Sequence, residues 1–90
     1  MHDWTLQSIH VDWASGIADI ELKDSASNVR AIEIKDLRNM VIPKKNPWGK
    51  SFSVNEATHN IDDVTKEHHL VIEMQSGDLI KVEAGFISKV

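Results

Sequence analysis

The stretch Leu70-Val71-Ile72-Glu73-Met74-Gln75-Ser76-Gly77-Asp78-Leu79-Ile80-Lys81-Val82-Glu83-Ala84 alternates in hydrophobicity on both sides of a turn. Leu70, Ile72 and Met74 share one face and Val71, Glu73 and Gln75 the other, which is the two-residue period of a strand. Ser76-Gly77, between Gln75 and Asp78, reads as a two-residue turn in which glycine supplies the positive φ. Ile80, Val82 and Ala84 then alternate with Leu79, Lys81 and Glu83. A helix over this span would need a period near 3.6 and would carry Gly77 in its interior. The stretch is a β-hairpin. Gly85 is placed as a bulge or bend that lets Phe86 to Val90 continue as a twisted end strand.

The same period recurs towards the N-terminus. Ile9, Val11 and Trp13 alternate with His10 and Asp12, and Ala14-Ser15-Gly16 supplies a turn. Ala18, Ile20 and Leu22 alternate with Asp19, Glu21 and Lys23; after the polar turn from Asp24 to Asn28, Ile32 and Ile34 alternate with Glu33 and Lys35. Three strands joined by short turns form an antiparallel meander with one buried face, since parallel pairing needs long crossovers. Leu37 and Met40-Val41-Ile42 predict a fourth strand ended by Pro43, and Phe52 and Val54 a short strand after the loop Lys44 to Gly49. The polar segment from Asn55 to Glu67 fits a loop or one or two helical turns. Six or seven short strands and no strong helix predict an all-β fold: a small antiparallel β-sandwich or partly open barrel.

Ninety residues, 41% hydrophobic and 27% charged, suit one globular domain over residues 1–90. The net charge of −4 and pI near 5.6 argue against nucleic acid, which needs a dense basic face. There is no cysteine for disulfide or thiolate chemistry. Met1-His2-Asp3-Trp4 does not open a signal peptide, and no apolar run approaches the roughly 20 residues of a membrane helix. The expectation is a cytoplasmic protein without membrane contact.

No catalytic motif emerges: there is no nucleophile elbow, glycine-rich phosphate loop or paired-carboxylate pattern. His68 and His69, adjacent in a strand, point to opposite faces and are poorly placed to share a metal ion. His59 approaches one of them if the intervening segment folds back, with Asp62 or Asp63 as a carboxylate ligand, but no recognised zinc spacing is present. His10 and Asp12 share one strand face, as residues of any polar face do. The chain is read as a non-enzyme with no cofactor and no metal.

The tryptophans carry more information. Trp13 falls in the apolar phase of its strand and is assigned to the core, and Trp4 to one end of it. Trp48, between Pro47 and Gly49 in a loop flanked by Lys44 and Lys45, is the tryptophan placed for partial exposure: it either folds back to plug the end of the sandwich, as a small domain needing its large side chains favours, or anchors a protein interface or stacks on a sugar. Val71 and Leu79, apolar on the otherwise polar face of the hairpin, mark a second contact.

His2-Asp3-Trp4, Ile9-His10-Val11-Asp12-Trp13 with its glycine turn, Pro47-Trp48-Gly49, Phe52-Ser53-Val54-Asn55 and Ile72-Glu73-Met74-Gln75-Ser76-Gly77-Asp78 together resemble small bacterial β-rich domains. Some of these are immunity proteins of polymorphic toxin systems. The resemblance implies a non-catalytic binding protein and assigns no functional residue. The leading expectation is a protein-interaction module with a protein partner, an edge strand leaving room for a homodimer. The alternative is a small-ligand or carbohydrate-binding domain.

Overall fold

A computed structural model describes residues 1–43 and 53–89. These form six strands: β1 (Thr5–Asp12), β2 (Ile17–Lys23), β3 (Val29–Val41), β4 (Val54–Ile61), β5 (His68–Met74) and β6 (Leu79–Lys89). All pair antiparallel in one sheet of order β1-β2-β3-β6-β5-β4, and the described residues contain no helix. The all-β expectation holds.

The two long strands, β3 and β6, organise the rest. The β1–β2 hairpin pairs with the N-terminal part of β3, from Val29 to Ile34. The β4–β5 hairpin pairs with the N-terminal part of β6, from Leu79 to Ala84. Because β3 and β6 are antiparallel, the hairpins attach at opposite ends of their ladder, on either side of Asp36 and Gly85.

At that point both strands change face. Ile34 pairs with Ile87 and Leu37 with Ala84, and all four turn to the core although each pair on a strand is three residues apart. A regular strand returns to the same face after two. Asp36 supplies the extra step with φ 53°, a left-handed conformation rare for a non-glycine residue inside a strand. Opposite it stands Gly85, where a Cβ would lie 2.9 Å from Asp36 Cβ and would run into its carboxylate. Gly85 is the bend its sequence position indicates.

Bending the ladder there brings the sheet edges together at one end. Asp3 N–H donates to Val54 O (2.9 Å), Val54 N–H to Trp4 O (2.8 Å), and Thr5 bridges Ser53. The sheet is therefore a partly open barrel, joined at this seam. Trp4 packs over the adjoining end of the core, as expected, beneath the Arg30 guanidinium 5.9 Å from its ring. Arg30 Nε in turn donates to Asp24 Oδ2 (3.0 Å). The core consists of Ala18, Ile20, Leu22, Ile32, Ile34, Val54, Leu70, Ile72, Ile80, Val82, Ala84 and Ile87.

Several expectations need correction. Leu37 to Val41 is the second half of the 13-residue β3, not a separate strand. Asn55 to Glu67 is neither loop nor helix throughout: Asn55 to Ile61 belongs to β4, and only the remainder turns. The hairpin tip holds three residues, Gln75-Ser76-Gly77, because Gly77 N–H donates to Met74 O and Met74 N–H to Asp78 O, both at 2.9 Å. Gly77, at φ 94°, takes the bulge position that a three-residue turn requires.

Trp13 is the largest correction: it is 90% exposed. Strand alternation continues along the β1–β2 hairpin past the point where a facing layer covers it. Val11 and Ile17, 45% and 42% exposed, already lie in that thinning zone.

Candidate functional site

The turn that carries Trp13 is fixed locally and then pinned to β3. Gly16 N–H donates to Asp12 O (3.0 Å), and Ser15 N–H reaches Asp12 Oδ1 (3.4 Å). Gly16 itself sits at φ 69°, and its carbonyl accepts Leu37 N–H at 2.9 Å, next to the Asp36 bend. A tryptophan in water thus stands on a turn with little freedom of its own.

Trp13, Gly16, Leu37 and Arg38 line a half-open pocket of about 110 Å³. Arg38 occupies the β-bulge between Leu37 and Asn39. Its Nη2 donates to Asp36 Oδ2 (3.2 Å) and its Nη1 lies 3.8 Å from Glu67 Oε1. Glu67 Oε2 is also 3.7 Å from His69 Nε2. The pocket therefore has an apolar wall from Trp13 and Leu37 and a charged lip that reaches the β4–β5 turn. That turn carries Val64, likewise 90% exposed. Its backbone is held by Asp62, whose carboxylate accepts Val64 N–H (2.8 Å) and Thr65 N–H (2.9 Å). These same bonds, that to Thr65 first, hold the Asp62 carboxyl below its ordinary range.

A second polar cluster lies on β4 and β5. His59 Nε2 is 2.9 Å from His68 Nδ1, with ring centroids 5.1 Å apart. Ile87 N–H also points at His68 Nδ1 (3.3 Å), which leaves that nitrogen unprotonated and makes His59 the donor. Phe86 packs 5.7 Å from the His68 ring. Burial lowers the His59 pKa, helped by Lys89 and then by His68. Among the described residues no group of three His, Cys, Asp or Glu side chains could hold a metal ion. Asp62, once weighed as a third ligand, is occupied in its turn.

Of the site residues expected from sequence, Trp48, Lys44 and Lys45 lie outside the described residues. Val71 and Leu79 are half-buried on the outer face of the β5–β6 hairpin, opposite Lys81 and Glu73 respectively. Trp13 belongs to the other hairpin and was missed as a surface residue. Its signal was local: it follows Asp12, a turn-capping residue, and precedes Ala14-Ser15-Gly16, so the turn had already begun. His10 and Asp12 are both exposed, with Asp12 committed to its cap.

No family model, curated protein or solved structure matches the chain. Among the described residues no helix is long and apolar enough to cross a membrane. The geometry itself must carry the functional reading.

Proposed function

We propose that the domain is a non-enzymatic protein-interaction module, of the immunity-like kind its sequence resembles, acting in the bacterial cytoplasm and docking through the Trp13 corner. The observation behind this reading is the 90% exposure of Trp13 on a turn pinned at Gly16 and Leu37. A large aromatic held ready in water loses little freedom when a partner covers it, which is the property of interface hot spots. Arg38, beside Trp13 in the pocket, offers a charged contact, and its approach to Glu67 links it to the β4–β5 turn, which carries the exposed Val64.

At the Trp13 corner the space suits an inserted protein side chain better than a small molecule. Small-ligand sites enclose roughly 300–1,000 Å³, whereas about 110 Å³ beside Trp13 suits one inserted side chain.

Affinity purification from the native host with wild type and Trp13→Ala, followed by titration of the recovered partner, tests the reading. Trp13→Ala is expected to weaken binding about 30-fold, the loss of a typical hot spot. Equal binding by the two forms, or no stable partner for either, would remove it.

A further inference from the structure

We propose that His68 clamps the second half of β6 to the β4–β5 hairpin, and releases it when the His59–His68 pair takes up protons. The inference is independent of the Trp13 reading and rests on how β5 and β6 end.

β5 begins at His68, which pairs with Ala84, whereas β6 runs on to Lys89. Beyond Ala84, β6 keeps β3 on one side, through Lys35–Phe86, Ile34–Ile87 and Ile32–Lys89, and has passed the end of β5 on the other. Backbone groups along an antiparallel strand face its two neighbours in alternation. Ile87 N–H turns to the side where β5 has ended, and His68 meets it with its side chain, Nδ1 lying 3.3 Å from Ile87 N. His59, from β4, brings Nε2 to the same nitrogen at 2.9 Å. One acceptor atom thus ties together β4, β5 and the far half of β6. Phe86 packs against it, 5.7 Å from the His68 ring.

The neutral His68 ring carries its proton on Nε2 and accepts at Nδ1. Coupled imidazoles titrate as a pair. A first proton, on His59 Nδ1, leaves His59 Nε2–H still donating to His68. A second, on His68 Nδ1, sets three N–H groups against one another, and both contacts are lost.

The surroundings oppose the added charge. Burial, and then Lys89 of β6, already disfavour a charged His59. Lys35 of β3 adds a further cation over the Phe86 ring, at 5.9 Å. The nearest carboxylates of the β4–β5 turn are engaged elsewhere. Glu67 faces Arg38 and His69, and Asp62 holds the N–H groups of Val64 and Thr65. Asp63 and Lys66 of that turn are exposed to water. Because β3 still pairs with β6, the clamp opens without unfolding the sheet, as a local event.

Hydrogen exchange of the full chain, read by amide NMR at pH 7.5 and pH 5, tests this, with circular dichroism as the check on folding. Relative to its intrinsic rate, Ile87 N–H is expected to lose protection about tenfold at the lower pH, as one hydrogen bond accounts for. Ile72 N–H, in the middle of the β5–β6 ladder, should hold. His68→Asn sets a non-titrating oxygen where Nδ1 stands and should keep Ile87 protected at both pH values. His68→Leu removes the acceptor and should leave Ile87 unprotected at both. Equal protection of wild-type Ile87 at the two pH values, a parallel loss at Ile72, or an Asn variant that loses protection as wild type does would overturn the proposal.

Discussion

His59 Nε2 and His68 Nδ1 stand 2.9 Å apart, a contact between two imidazole rings in which one ring donates and the other accepts. Burial, Lys89 and His68 all hold the His59 pKa below its ordinary 6.5. The unfolded chain then binds more protons than the folded one below about 6.5, and stability present above that pH is lost as pH falls through the lowered folded value. Urea midpoints measured from pH 8 to pH 5 should fall, and His59→Leu should flatten the fall. An unchanged slope in that variant would show that other groups set it.

Gly85→Ala should destabilise by about 1–3 kcal/mol, because the new Cβ meets the Asp36 side chain in a packed bend. Asp36→Gly in the same molecule should recover much of the loss by removing the obstructing group and relieving the φ of 53°. A double-mutant cycle in denaturant measures this coupling; simple additivity of the two changes would argue against the contact.

Trp13→Ala should leave stability within about 0.5 kcal/mol, as expected of a surface residue. Ile72→Ala, at a fully buried core position, should cost about 2–5 kcal/mol. Equilibrium unfolding of both variants distinguishes a surface Trp13 from the core residue that alternation alone implies.

Gly77→Ala should cost about 1–2 kcal/mol, since φ 94° is unfavourable for any residue with a Cβ. The thermal midpoint reports the loss, and a neutral outcome would mean that the tip relaxes to another turn.

The parts of the fold that could be read from sequence are those in which one face is buried along a whole strand. Ala18-Ile20-Leu22, Ile32-Ile34, Leu70-Ile72 and Ile80-Val82-Ala84 announce themselves because every inward position is apolar. β4 does not: after its bulge the positions in phase with the core are Ala57, His59 and Ile61, only one of them strongly hydrophobic. Trp13 misleads for the opposite reason, since its phase is right but no layer covers it. The His59–His68 contact was open as an approach, but its geometry needs the β4–β5 register, which residue types do not specify. Asp36 gave no signal, because a left-handed aspartate inside a strand is fixed by its partner across the ladder.

The bend at Asp36 and Gly85 divides the chain into two meanders, β1-β2-β3 and β4-β5-β6, each built from neighbours in sequence. The β3–β6 ladder is the longer of the two junctions between them, the Trp4–Val54 seam being the other, and it must bring together residues tens of positions apart. Closing that long loop is the entropically costly step of folding, so the ladder sets the rate at which the barrel forms. Substitutions within it should slow folding, whereas changes at the Trp4–Val54 seam, made after that closure, should chiefly hasten unfolding.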